Sequence, residues 1–152
     1  MKNFCEMPKE DLQKLENQIC FPLYAASRLI IKKYNPLLES FNITYTQYLV
    51  LMVLWENNGI SVSELGDKLY LDSGTLTPVL KKMESSELLK RERSNKDERS
   101  VIVTLTPQGK TLKKRLKDIP NKMGVCINAP NEDIIKLRTM LQNFIKNMEC
   151  SK

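Results

Sequence analysis

Cysteine has the most chemistry to offer in this chain, because histidine is absent. Without histidine the commonest general base is missing, and so is every Ser-His or Cys-His nucleophile arrangement. Hydrolytic catalysis is therefore not expected, and no catalytic residue is assigned. Cys5, Cys20, Cys126 and Cys150 lie far apart with no Cys-x-x-Cys pair. A zinc site needs clustered thiolates and imidazoles, so neither a metal nor a cofactor is expected. What remains is redox chemistry, in which a thiolate attacks a peroxide oxygen, becomes a sulfenic acid and can be converted to a disulfide by a second thiol. A cysteine on an apolar helix face reads as a buried inert thiol or as a reactive one. Composition and spacing leave both open for Cys20. Cys5 and Cys150 fall in terminal stretches expected to fray and read as incidental.

The elements that must carry these groups follow from apolar spacing and caps. Leu12, Leu15, Ile19, Leu23, Ala26, Ile30 and Tyr34 recur at steps of three and four, which predicts one long amphipathic helix over 12–34. Pro22 falls inside it and would crowd the carbonyl of Gln18, so a kink beside Cys20 is expected. Thr44, Tyr45, Thr46 and Gln47 form a capping box that opens a strongly apolar core helix through Trp55, ended by Asn57, Asn58 and Gly59. Thr106 and Pro107 supply an N-cap and an N1 proline for a helix to about Ile119, where Pro120 intervenes. Cys126 then lies in a segment bracketed by Pro120 and Pro130 and containing Gly124, which is expected to move. Asn131 caps a last helix whose Ile134, Ile135, Leu137, Leu141, Phe144, Ile145 and Met148 make a face too broad for one small neighbour. Pairing with a second subunit accounts for that face.

Between these flanks, residues 61–106 read as a DNA-reading unit. Ser61 and Glu64 form a capping box, and Asp72, Ser73, Gly74 and Thr75 start a second helix with Leu76, Val79, Leu80 and Met83 at helical spacing. Two helices joined by about three residues make a helix-turn-helix. The strand-like runs 88–93 and 100–105 flank the polar turn Ser94, Asn95, Lys96, Asp97 and Glu98, forming a basic hairpin wing. A recognition helix presents its N-terminal residues to base edges and phosphates, a demand that Ser73, Thr75 and Thr77 meet. Helix capping is the competing use of Asp72 and Ser73. Lys81 and Lys82 suit phosphate contacts. Arg91, Arg93 and Arg99 can enter a narrow minor groove, with Asp97 placed to orient such a side chain.

Charge alone does not carry this reading. The net charge of +6 suits a polyanion, yet 61–105 balances eight basic against eight acidic side chains. The excess sits in 106–122, at Lys110, Lys113, Lys114, Arg115, Lys117 and Lys122, which reads equally as a solvated helix face or as phosphate contact. Placement after a helix-turn-helix is what singles out the hairpin. The fold class expected is mainly α with a small β-hairpin wing (α+β). A winged helix-turn-helix at about 61–106 is flanked by dimerisation helices at about 9–35 and 107–150, within one domain spanning 1–152.

Several stretches in order carry a family resemblance: Leu15-Glu16-Asn17-Gln18-Ile19-Cys20-Phe21, Leu23-Tyr24-Ala25-Ala26-Ser27-Arg28, Ile43-Thr44-Tyr45-Thr46-Gln47-Tyr48-Leu49, the run from Leu69 to Pro78, and Asp97-Glu98-Arg99-Ser100. Over about residues 12–148 the chain resembles the MarR family of transcriptional regulators, and within it the organic hydroperoxide resistance regulators. The resemblance implies a homodimeric repressor of peroxide-defence genes that binds double-stranded, pseudo-palindromic operator DNA. It implies that Cys20 is the cysteine oxidised by organic hydroperoxides or related oxidants, that Tyr34 and Tyr45 hydrogen-bond its sulfur, and that Asp97 and Arg99 belong to the wing. It also implies a two-cysteine branch, in which Cys126 bridges to the partner's Cys20.

Geometry adds to this that Tyr34 is fourteen residues from Cys20, about 21 Å along a straight helix. If Tyr34 bonds the sulfur, it comes from the other subunit. Tyr24, one turn from Cys20, either lines the same pocket or is core. Residues 1–11 have no apolar stretch of a signal peptide and no 18 apolar residues run together, so a cytoplasmic protein with initially reduced thiols and no membrane contact is expected. A second reading is a MarR-type regulator released by a small aromatic ligand, with Cys20 structural. A thiol peroxidase would share the chemistry but would have no use for a recognition helix and wing.

Overall fold

The computed structural model describes residues 8–94, 97 and 99–149. Cys5, Cys150 and the turn residues Asn95, Lys96 and Glu98 lie outside them. By internal packing the chain divides into two compact units, Met1–Asp118 and Ile119–Lys152. In the first unit α1 (Lys9–Leu12) and a 3-10 turn (Leu15–Asn17) precede α2 (Cys20–Glu39), α3 (Tyr45–Glu56), β1 (Ile60–Ser61), α4 (Val62–Leu69), α5 (Ser73–Ser85), β2 (Leu89–Arg93), β3 (Val101–Leu105) and α6 (Pro107–Arg115). The second unit holds α7 (Ile119–Ile127) and α8 (Asn131–Glu149).

The caps read from the sequence are formed. Thr44 and Gln47 make a reciprocal capping box at α3, as do Ser61 and Glu64 at α4, and Thr106 with Pro107 at N1 opens α6. A cap contributes about 1 kcal/mol, whereas burying a Leu or Met contributes about 1.5–3 kcal/mol. Packing therefore decides where α5 docks, through Leu76, Leu80 and Met83, all essentially inaccessible to solvent. They join Leu38, Val50, Leu51, Leu54, Leu65, Leu89 and Val103 in a core under the helix-turn-helix.

The sheet has the order β1-β3-β2, antiparallel throughout, with Leu89 opposite Leu105 and Arg91 opposite Val103. β1, pairing Ile60 with Val103, was not expected. Its two residues are too few to show a period. At the base of the wing Trp55 Nε1 donates to the Gly109 carbonyl at 3.0 Å, and the Thr106 hydroxyl donates to the Glu87 carbonyl at 2.6 Å. A side chain on Gly109 would meet the Leu88 carbonyl oxygen at 2.1 Å, so only glycine lets α6 approach the start of the wing this closely.

Several sequence-based expectations are corrected. The helix predicted over 12–34 is broken before Cys20 and continues past 34, through Pro36, to Glu39. Pro22 sits in the first turn of α2 rather than its interior. The first backbone N–H groups of a helix have no intrahelical acceptor, so a proline there costs no bond and starts a helix instead of kinking it. Pro120 does the same for α7. The helix from Pro107 stops at Arg115, and the segment expected to be a loop around Cys126 is helical over Ile119–Ile127. Asn131 is the first residue of α8, whose opening turn is closed by Asp133 and Ile134 donating to the Pro130 carbonyl.

The helix-turn-helix corner depends on Gly66. Tyr70 ends α4 in the left-handed region at φ 55°, and Leu71 N–H returns to the Gly66 carbonyl at 3.0 Å. A Cβ at Gly66 would lie 2.7 Å from the Leu71 carbonyl oxygen. Gly→Ala inside a helix ordinarily stabilises by roughly 0.5–1 kcal/mol, but here backbone must move. Gly66→Ala is expected to destabilise by about 1–3 kcal/mol, read as a lowered denaturant midpoint. An unchanged or raised midpoint would show that the corner tolerates a side chain.

Candidate nucleic-acid interface and thiol centre

The start of α5 is built around Asp72. Its carboxylate accepts the Thr75 N–H at 2.9 Å and the Thr75 hydroxyl at 2.7 Å, and these bonds hold the carboxyl below its ordinary range. The hydroxyl of Thr75 is thus engaged in the cap, while Ser73 stands exposed and Thr77 half-buried. Ser63, Ser73, Thr77, Arg91, Asp97 and Arg99 line one groove of about 450 Å³ between the helix-turn-helix and the wing. In the hairpin, Asp97 accepts the Arg99 N–H on its side chain at 3.0 Å and the Ser100 N–H on its carbonyl at 2.9 Å. Asp97 therefore orders the backbone that carries Arg99.

The remaining cations sit differently from one another. Arg93, Lys81, Lys82 and Arg99 are exposed. Lys82 also borders a separate polar depression with Glu39, Asn42 and Thr44. Arg91, expected among the groove-entering arginines, instead gives its guanidinium to Glu84, with Nη2 at 2.6 Å and Nε at 2.9 Å from Oε2. The physical reason is strand alternation: Leu89 is buried, so Arg91, two residues on, also faces inward and must find a partner.

At the other end of the first unit, Cys20 is the first residue of α2 and is exposed. Its Sγ lies 3.8 Å from Gln18 Oε1, and Gln18 Nε2 in turn donates to the Leu12 carbonyl. Tyr24 is exposed one turn along, with the Arg28 guanidinium 5.5 Å from its ring centre. Tyr34 lies fourteen residues further, so the uninterrupted α2 separates it from Cys20 by about 21 Å. There its ring packs on Tyr45 at 4.7 Å and on Tyr48 at 6.0 Å. Burial pushes all three phenols up, helped at Tyr34 and Tyr48 by the neighbouring rings. Tyr34 and Tyr45 therefore remain O–H donors at neutral pH, the form that can stabilise an anion. Tyr48 was not singled out from the sequence, although its spacing of three from Tyr45 puts both on one face of α3.

In the second unit Cys126 is exposed on α7, while Ile119 and Met123 are buried. Two helices carry unusual exposed apolar surface: Ile19, Phe21, Tyr24, Leu29 and Ile31 along α2 and just before it, and Ile135, Leu137, Met140, Phe144 and Met148 along α8. No helix of the described residues is long and apolar enough to cross a membrane.

Comparison with known proteins agrees with this architecture. Residues 32–116 match the family described as transcriptional regulator SarA/Rot. The chain is 48% identical over 140 residues to the organic hydroperoxide resistance transcriptional regulator of Bacillus subtilis strain 168, covering 92% of this chain and 95% of that protein. Among solved structures it is similar to AbfR, known from Staphylococcus epidermidis, in its reduced form bound to DNA, at 37% identity and a TM-score of 0.76, covering 92% of this chain and 97% of that one. It is also similar to the disulfide-formed AbfR, at 38% identity and a TM-score of 0.62, covering 90% and 96%. Helix-turn-helix, wing, thiol and sequence likeness over nearly the whole length lead to one assignment: the chain belongs to the MarR-type family of winged-helix transcriptional regulators, with the organic hydroperoxide resistance regulators.

Proposed function

We propose that this protein is a homodimeric DNA-binding repressor that senses organic hydroperoxide through Cys20 and then releases its operator. The observation that carries the reading is the separation of Cys20 from Tyr34 along α2, a helix with exposed apolar residues, where Tyr34 packs on Tyr45 of α3. A second copy crossing antiparallel brings the partner's tyrosines to the sulfur, so sensor and dimer interface coincide. Residues 9–35 and 107–150 supply the dimer contacts and 61–106 the DNA contacts, within one regulator domain.

The chemistry is stoichiometric, not enzymatic, and needs no cofactor or metal. The Cys20 thiolate attacks one peroxide oxygen, the O–O bond breaks, and the other oxygen leaves as alkoxide and takes a proton to become the alcohol. Sulfur is oxidised by two electrons to the sulfenic acid, and a second thiol displaces water from it to form a disulfide. Such a protein works on the cytoplasmic side, where thiols begin reduced. Tyrosine hydroxyls, brought by the partner subunit, donate to the sulfur.

Each subunit offers one recognition helix, so the operator is a pseudo-palindrome with half-sites about one helical turn, roughly 10 bp, apart. Ser73 and Thr77 approach the bases, with Thr75 beside them holding the cap on Asp72; Lys81 and Lys82 approach the phosphates, and Arg93 and Arg99 the groove beside the wing, with Asp97 ordering Arg99. Binding to the intergenic DNA next to its gene, lost on adding cumene hydroperoxide and regained with a thiol reductant, tests the reading as a whole. Arg99→Ala is expected to weaken binding by about 1–3 kcal/mol. Unchanged affinity at moderate salt would remove the wing from the interface.

A further inference from the structure

Glu84 is an acid on the recognition helix, in a protein whose partner is a polyanion. By simple electrostatics it should oppose binding. Its surroundings give it a different task. Oε1 accepts the backbone N–H of Arg91 at 2.9 Å while Oε2 takes Nε at 2.9 Å and Nη2 at 2.6 Å from the same residue. One carboxylate thus fastens both the main chain and the side chain of β2 to the last turn of α5. The pair is partly exposed, with side-chain exposures of 35% for Glu84 and 23% for Arg91, and its hold comes from three charge-assisted hydrogen bonds gathered on one carboxylate. Arg91 pairs across the hairpin with Val103 and lines the groove that also holds Ser73, Thr77 and Arg99.

We infer that Glu84 is a positioning residue for operator binding: through Arg91 it sets the wing, and with it Arg99, at a fixed offset from the recognition helix. The inference rests on the DNA-binding reading above and deepens it. β1 pairs only Ile60 and Ser61 with β3, so beyond that short pairing the wing is two strands wide and has little stability of its own, and a wing free to swing would contact the duplex only by losing that freedom on binding. Fixing it beforehand removes that cost. The favourable effect of a pre-set wing then outweighs the repulsion between one screened carboxylate and the phosphates.

The inference makes a prediction opposite to the charge argument. Glu84→Gln keeps the shape, removes a negative charge and should bind a duplex of the adjacent intergenic DNA more weakly, on the order of tenfold. The loss should act through the wing, so in an Arg99→Ala background the same substitution should change affinity less than about twofold. Arg91→Lys, which keeps the charge but not the fork, should show the same Arg99-dependent loss. A Glu84→Gln protein that binds as tightly as the native one, or more tightly, overturns the inference. So does a loss of equal size in both backgrounds, since that reports a general fold defect. If Glu84→Gln proves too unstable to measure, Arg91→Lys binding like the native protein overturns it by itself. Failure of the native protein to bind the duplex would instead refute the DNA-binding reading.

Discussion

A Cys20→Ser protein is expected to bind its operator like the native dimer and to stay bound at hydroperoxide concentrations that strip the native protein from DNA. Serine preserves size and polarity but offers no thiolate, so the O–O bond is never attacked and no sulfenic acid forms. The size of the effect follows from the two populations involved. Taking a dimer from almost wholly competent to almost wholly incompetent requires about 5.5 kcal/mol of bias, a factor of about 10⁴. If Cys20 is the only entry point for oxidant, all of that is lost with the sulfur. The measurement is fluorescence anisotropy of labelled operator titrated with cumene hydroperoxide. A Cys20→Ser protein released at the same peroxide dose as the native one would refute the redox reading and leave a regulator released by a small ligand.

The second large effect is expected at Cys126. In the two-cysteine scheme the sulfenic acid at Cys20 is trapped as an intersubunit disulfide with Cys126, and this bond drives release. Cys126 is exposed on α7 in the single chain. A disulfide demands Cα atoms roughly 4.4–6.8 Å apart. Because Cys126 sits in a helix rather than a loop, any movement needed to reach that distance carries α7 with it. The expected result is a dimer band on non-reducing gels after hydroperoxide, absent in Cys20→Ser and in Cys126→Ser. The Cys126→Ser protein, given stoichiometric hydroperoxide and no small thiol, should remain on DNA. If it leaves, release follows from the sulfenic acid alone, or from an external thiol capping Cys20 when one is supplied.

Much of the fold was legible because it is written in short-range chemistry. Capping boxes at Thr44 and Ser61, the Asp72 cap and the Thr106-Pro107 pair each name a helix start through one or two bonds between residues three apart. Prolines were harder. Pro22 and Pro120 are compatible with ending a helix, kinking one or sitting in its first turn, and the choice depends on where the preceding residues are held. For Pro22 that is settled by the bonds of Asn17 and Gln18 back to the Asp11 and Leu12 carbonyls, which turn the chain before Cys20. Cys126 was misplaced for the same reason, since a proline-bracketed stretch looks like a loop until Pro120 is seen to open α7.

At the candidate interface the residue types were readable but their partners were not. Arg91 looked like one basic residue among several in the wing, and the signal that separates it is the alternation along β2. Once Leu89 is inward, Arg91 is inward too, and an acid on α5 is needed to meet it. The separation of Cys20 from Tyr34 was countable from the sequence, whereas the packing of Tyr34 on Tyr45 and Tyr48 required the turn between α2 and α3.

That aromatic packing has an optical consequence. The chain contains one tryptophan, and Trp55 continues the row, with its ring 6.2 Å from Tyr48, which lies 6.0 Å from Tyr34. Light absorbed by either phenol is readily passed to the indole over such distances, so tyrosine excitation emerges at the wavelengths of Trp55. The indole N–H is tied to the Gly109 carbonyl, where the wing meets α6. Emission from this one side chain therefore reports at once on the tyrosines proposed to face the sulfur and on the root of the DNA-reading hairpin. Oxidation and operator release can be followed in the unlabelled protein as changes in a single spectrum.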